Sequence, residues 1–125
     1  MTGAARQFMT LAILFAIAGM ALGLHMAMAH DHGETVTHTH IMLAGWVSSA
    51  LMGLFYHAMP KLNASGLARA QFWLSAAGAV VMTVSLFFFY GGNAAAEPGA
   101  AVGAIAYLLG FLLFAFIALR GIWAA

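Results

Sequence analysis

Four long runs of apolar residues follow one another along the chain, and only short polar segments separate them. The runs cover about residues 7–28, 39–59, 67–90 and 102–123. Each run is close to the roughly 20 residues that a helix needs to cross the hydrocarbon core of a bilayer. Backbone groups in lipid must find their hydrogen bonds within such a segment, so we predict an all-α protein. The pattern predicts four transmembrane helices in one domain, residues 1–125.

Composition supports the same fold class and narrows the chemistry. Hydrophobic residues make up 65 % of the chain and charged residues 6 %, whereas a soluble domain carries about a quarter charged residues. Lipid is therefore the expected partner of most of the surface. The chain has no cysteine, which excludes disulfides, thiolate metal sites and iron–sulfur clusters. It also lacks the basic stripe expected of a protein that binds nucleic acid.

The few charges are divided between the two ends of the predicted helices. All four basic residues fall at one end and all three acidic residues at the other: Arg6, Lys61, Arg69 and Arg120 against Asp31, Glu34 and Glu97. The positive-inside rule then predicts that both termini face the cytoplasm. The loop between the first two spans is expected on the outer, periplasmic side of the inner (cell) membrane.

A pair of histidines, His38-Thr39-His40, stands at the start of the second span. If this region is helical, positions i and i+2 point about 200° apart, because each residue turns a helix by about 100°. The pair therefore cannot chelate one ion from one helix face. It suits a helix that lies between two cofactors. The structural alternative is an interfacial pair hydrogen-bonded to water or to carbonyl groups.

More potential ligands lie just upstream, in the order His25, Met26, Met28, His30, Asp31 and His32. Neutral imidazole suits haem iron, copper and zinc, and thioethers together with imidazoles favour Cu(I). A copper or zinc site in this outer loop is thus a second possible function. Methionine is also ordinary packing material in apolar helices, so the methionines alone do not decide between these possibilities.

Two further patterns concern packing. Gly19 and Gly23 form a small-xxx-small pair that lets helices approach closely. Such residues pack helices within one bundle, or they leave room for the edge of a flat cofactor. The fourth span, with Phe111, Phe114 and Phe116, is expected to face mainly lipid.

Residues 30–60 resemble part of a known family. His30-Asp31, the His38-Thr39-His40 motif, His57 and Pro60 occur in the order and at the spacings found near the tenth helix of the catalytic subunit of haem–copper oxidases. The resemblance implies that His38 is an axial ligand of a high-spin haem and His40 one of two axial ligands of a low-spin haem. It implies that His30 and Asp31 lie near haem propionates and a nearby bound metal.

The resemblance also has consequences for the assembly. Nothing in this chain matches the earlier helices of the family, which supply the other low-spin haem ligand and the copper-binding histidines. Oxidase activity is therefore not expected of this polypeptide alone. The twelve helices of the family form an approximately threefold arrangement of four-helix units, so three copies of this chain would give twelve helices with true symmetry.

We accordingly expect a symmetric homo-oligomer, preferably a trimer, that binds non-covalent haem b. His38 of one copy and His40 of its neighbour would hold a haem at each interface, and a redox partner protein would exchange electrons with it. Two alternatives remain at this point. One is the copper or zinc protein that uses the outer loop, and the other is an accessory subunit without a cofactor.

Overall fold

Four long helices account for nearly all of the chain in a computed structural model, which describes residues 1–124. They are α1 (Gly3–Ala29), α2 (Thr35–Ala58), α3 (Gly66–Tyr90) and α4 (Glu97–Trp123). Each is long and apolar enough to cross a membrane. The prediction of an all-α membrane protein with four transmembrane helices is confirmed, and the chain is a multi-pass membrane protein.

Three helices begin four or five residues earlier than the apolar runs predict. α1 starts at Gly3 rather than near residue 7. α2 starts at Thr35 rather than near residue 39, so the first loop shrinks from the predicted 29–38 to residues 30–34. α4 starts at Glu97 rather than near residue 102, with a proline in its first turn, where a missing N–H costs nothing. Because α2 begins early, both histidines of the His38-Thr39-His40 motif lie inside the helix.

The four basic residues lie together at one end of the bundle, which we call the basic end. α2 stops at Ala58, and Pro60 then starts a single helical turn, Pro60–Asn63. The Asn63 side chain ties this turn to the start of α1. It accepts a hydrogen bond from the Ala5 amide at 2.8 Å and donates one to the Thr2 carbonyl at 2.8 Å. The opposite end, where α2 begins, is the histidine end.

A hydrophobic core occupies the half of the bundle nearest the basic end. Phe8 of α1 packs edge-on against Phe72 of α3, with ring centroids 4.9 Å apart, and Tyr56 of α2 lies beside it at 6.0 Å. Phe114 of α4 meets Phe55 and Tyr56 at 5.3 and 5.8 Å. The expectation that the fourth span faces mainly lipid is therefore wrong for Phe114, whereas Phe111 and Phe116 are exposed.

A buried polar network crosses this core. The amide of Gln71 on α3 accepts a hydrogen bond from the Tyr56 hydroxyl at 3.0 Å, and it donates to the Ser75 hydroxyl at 2.9 Å and the Gly110 carbonyl at 3.2 Å. Gln71 and Tyr56 are completely buried. One side chain thus links α2, α3 and α4 in surroundings that offer no water.

Replacing Gln71 by leucine is expected to lower the free energy of unfolding by about 1–3 kcal/mol, since it leaves the buried Tyr56 hydroxyl without its acceptor. Thermal unfolding in detergent, followed by circular dichroism, measures the effect. Thr10→Val is the matched control, because the exposed Thr10 hydroxyl bonds only to its own helix at Arg6. An unfolding temperature of Gln71→Leu equal to that of the control would show that the network adds nothing.

Small residues let α1 and α2 pack closely along their whole length. A Cβ atom added at Gly53 would lie 3.2 Å from backbone atoms of Ala5 and Met9, and one added at Gly19 would clash with Met42. These glycines therefore serve helix packing inside one chain. The same close approach brings the first turns of α2 against α1, where the histidine pair lies.

Candidate haem-ligand site

The two histidines of the motif lie in the first two turns of α2 and contact different neighbours. The His38 ring points at α1, whereas the His40 ring lies against the preceding turn of α2 itself. Both side chains are half-buried. The two side chains therefore occupy different environments, in line with the separation that helical geometry requires of positions i and i+2.

His38 makes a hydrogen bond to α1 and fits into a space that a glycine of α1 leaves open. Its Nδ1 lies 2.8 Å from the carbonyl oxygen of Gly19. One turn further along α1, a Cβ atom added at Gly23 would come within 3.0 Å of the ring at Cε1. The absence of a side chain at Gly23 thus leaves the space that the imidazole occupies. A larger residue at this position would press against the ring.

His40 makes an equivalent bond within its own helix. Its Nδ1 lies 2.8 Å from the carbonyl oxygen of Val36, four residues earlier. This carbonyl belongs to the first turn of α2, at the membrane interface. This hydrogen bond orients the ring along the side of α2.

The two bonds have the same chemical consequence. A carbonyl oxygen only accepts, so Nδ1 carries the hydrogen in each ring, and a neutral ring then has its lone pair on Nε2. Histidines that bind metals nearly always donate their other N–H to a carbonyl or carboxylate, which fixes the ring and raises its basicity. Both His38 and His40 already have this arrangement.

The helix widens directly after the pair. Residues Ile41–Ser48 form a π-helical segment, after which α2 continues as an α-helix. The Ala44 carbonyl within it accepts hydrogen bonds from the Tyr107 hydroxyl at 3.1 Å and the Ser49 hydroxyl at 3.3 Å. π-Helical turns are rare and occur frequently at functional sites. Tyr107 of α4 therefore stabilises an unusual backbone immediately below the histidines.

The other predicted site residues do not join this pair. His25, His30, His32 and Asp31 are all exposed at the histidine end. His30 ends α1 with a left-handed φ of 52°, and Asp31 accepts a hydrogen bond from the Gly33 amide at 3.0 Å. Within residues 1–124, no three histidine or acidic side chains lie close enough together to hold a metal ion.

Two of these residues do share a pocket. His25 and Asp31 line a cavity of about 290 Å³ together with Glu34, between the end of α1, the start of α2 and the end of α3. His30 and His32 lie outside it, and His57 is exposed near the basic end. His25 thus lies beside Asp31 and Glu34 rather than beside His30 and His32, a neighbourhood that depends on contacts between helices and is not visible in the local spacing.

Three contributors to the histidine end were missed from the sequence. They are the carbonyl of Gly19, the carboxylate of Glu34 and the hydroxyl of Tyr107. A backbone carbonyl has no signature in a sequence. Glu34 accepts a hydrogen bond from the fully buried Thr37 at 2.7 Å. The polar tip of Tyr107 in the middle of an apolar span was the one signal that the sequence did offer.

Comparison with known proteins gives one distant match. Over 74 aligned residues, the chain is 31 % identical to the cbb3-type cytochrome c oxidase subunit CcoN1 of Stutzerimonas stutzeri. The alignment covers 54 % of this chain and 16 % of that subunit, so the chain spans only a small part of its relative's length. No family model matches the chain, and no solved structure matches it. The match supports a distant relationship to the haem–copper oxidases.

Proposed function

We propose that this chain binds haem b through His38 and His40 and carries electrons within the membrane. The observation that carries the proposal is that both imidazole rings make the same kind of hydrogen bond. In each ring Nδ1 is bonded to a backbone carbonyl, which leaves Nε2 as the ligand atom. The distant similarity to a cytochrome c oxidase subunit points to the same cofactor. Since the chain has no cysteine, the haem is held without a thioether bond.

We propose that the ligands of each haem come from two copies of the chain. Two histidines about 200° apart on one helix cannot bind the two faces of the same haem. A bis-histidine haem therefore takes His38 from one copy and His40 from the next. A closed ring of copies related by rotation satisfies both histidines of every copy. We favour a trimer, since three copies give the twelve helices of the related oxidase subunit.

The residues of this chain fit such a cofactor. A bis-imidazole haem supplies a one-electron redox couple and has no open position on iron. The two Nδ1–H groups, bonded to the Gly19 and Val36 carbonyls, hold the rings in place and increase their donor strength. We further propose that the histidine end faces the outer side of the cell membrane, because the four basic residues lie at the other end. A redox partner would approach from that outer side.

An absorption spectrum of the detergent-purified protein, oxidised and then reduced with dithionite, tests the proposal. We expect sharp α and β bands on reduction and about one haem per chain, since a ring of copies has as many interfaces as members. The mass of the haem-containing particle, measured by light scattering with the detergent subtracted, should correspond to three chains. A colourless protein made with haem available would indicate an accessory subunit without a cofactor. A monomer that retains its haem would contradict binding between copies.

A further inference from the structure

Two neighbouring pockets at the histidine end, which share lining residues and which we describe together as one groove, are not used by the proposed haem site. The outer part of this groove is the pocket of about 290 Å³ that contains His25, Asp31 and Glu34. Its inner part is an apolar groove of about 430 Å³ between α1, α2 and α3. The two parts share Leu22 and Phe87 as lining residues, so one elongated molecule can occupy both.

We propose that this groove binds a prenyl quinol, with the quinol ring in the outer pocket and the prenyl tail in the apolar groove. The role of the quinol as electron donor rests on the proposed haem function, whereas its binding does not. A prenyl quinol has a ring with two hydroxyl groups at one end and an apolar tail at the other. The groove has a polar outer pocket and an apolar inner part in the same arrangement.

The outer pocket offers hydrogen-bonding groups that other contacts leave available. One carboxylate oxygen of Asp31 accepts from the Gly33 amide, and one of Glu34 accepts from Thr37, which leaves the second oxygen of each. Within residues 1–124, neither ring nitrogen of His25 has a hydrogen-bond partner. A carboxylate accepts the hydroxyl hydrogen of a quinol, and a neutral imidazole accepts or donates.

The inner groove is apolar and open along its side to the lipid. Its walls include Phe15 and Leu22 of α1, and Val80, Val84, Phe87 and Phe88 of α3. A tail that enters from the bilayer exchanges contacts with mobile lipid chains for contacts with fixed aromatic and branched side chains. Because the tail is attached to a ring that is already bound in the outer pocket, its contacts add to the affinity of the ring. A quinol with a tail should therefore bind more tightly than the ring alone.

Charge selects against the other amphipathic molecules of a membrane. Two carboxylates line the outer pocket, and all four basic residues lie at the basic end. An anionic phosphate or fatty-acid headgroup would therefore meet two carboxylates with no lysine or arginine beside them, which is unfavourable. A neutral ring that donates hydrogen bonds to carboxylates meets no such repulsion.

The pocket also accounts for the protons of quinol oxidation. Oxidation of one quinol to quinone breaks two O–H bonds, delivers one electron to each of two ferric haems and releases two protons. His25 and Asp31 are the two acceptors at the ring, and both are exposed at the histidine end. They can pass these protons to the aqueous phase and return to their starting state.

Photolabelling of the haem-free protein in detergent with the reduced, quinol form of an azido derivative of decylubiquinone tests the binding. We expect saturable labelling that maps to the end of α1 and the end of α3, around Leu22 and Phe87. Unlabelled decylubiquinol should compete, whereas the tailless quinol ring and a single-chain phosphocholine lipid at the same concentration should not. Labelling spread evenly over the helices, or equal competition by the lipid, would overturn the proposal.

Two matched pairs of variants locate the ligand further. Val84→Trp fills the groove and should weaken binding at least about tenfold, while Val81→Trp is exposed on the same helix outside the groove and should not. His25→Leu should weaken binding roughly fivefold through a lost hydrogen bond, while His32→Leu should leave it unchanged. If the two variants of each pair changed the binding affinity equally, the assignment of the ligand to this groove would be contradicted. Haem content is measured separately, so failure of quinone binding and failure of haem binding are distinguishable.

Discussion

Replacing His40 by alanine is expected to lower the haem content of the purified protein at least about tenfold, because even the loss of a supporting contact to a metal ligand costs 10–100-fold in affinity. The reduced α and β bands should disappear with the haem. His38→Ala should have the same effect, since each haem takes one ligand of each kind. The measurement is the ratio of haem absorbance to protein in detergent.

The controls for this experiment are histidines outside the pair. His57→Ala and His32→Ala should retain the wild-type haem content, because both side chains are exposed and neither contacts the pair. Gly23→Leu adds a more specific check. Its side chain would occupy the space of the His38 ring and should reduce haem binding without removing any ligand. Unchanged haem in both alanine variants would refute the assignment of the axial ligands.

Mixing the two haem-free variants should restore part of the haem. When copies carrying His38→Ala and copies carrying His40→Ala assemble together, some interfaces receive His38 from one copy and His40 from the other. With equal amounts and random assembly, a given interface receives both intact ligands with a probability of about one quarter, whatever the size of the ring. The co-expressed variants should therefore bind about a quarter of the wild-type haem.

This recovery distinguishes binding between copies from binding within one copy. The two variants carry different affinity tags, so that oligomers containing both can be purified first. A low haem content then cannot result from poor mixing of the two variants. Each mixed trimer should then carry one haem, because only one of its three interfaces has both ligands. Mixed oligomers without haem would show that His38 and His40 act in separate sites.

Much of the fold follows from hydropathy alone. The four apolar runs end within one residue of the ends of the four helices, since length and hydrophobicity decide which segments cross a bilayer. The starts of α1, α2 and α4 lie four or five residues before the starts of the runs. The start of α2 was set too late. Its first turn, with Thr35, Val36 and Thr37, is polar and β-branched, and no side chain caps it. Tertiary contacts, including the buried Thr37 bonded to Glu34, stabilise it instead.

The candidate site was predictable only in part. The opposite directions of His38 and His40 follow from helix geometry, and the small residues at Gly19 and Gly23 hint at a close neighbour. Which carbonyl each ring contacts depends on the packing of α1 on α2, and local spacing does not contain that information. The pocket shared by His25 and Glu34 has the same origin, because it forms where three helix ends meet.

The π-helical segment Ile41–Ser48 sets the register between the two halves of α2. Fifteen residues separate His38 from Gly53, and an uninterrupted α-helix would turn Gly53 about 60° away from the side that carries His38. Yet both positions contact α1. The wider turns of the π-helical segment change this angle, and both halves of α2 pack on α1. A deletion of a single residue within the segment would therefore turn His38 away from the Gly19 carbonyl of α1, while His40 would keep its bond to Val36 in its own helix.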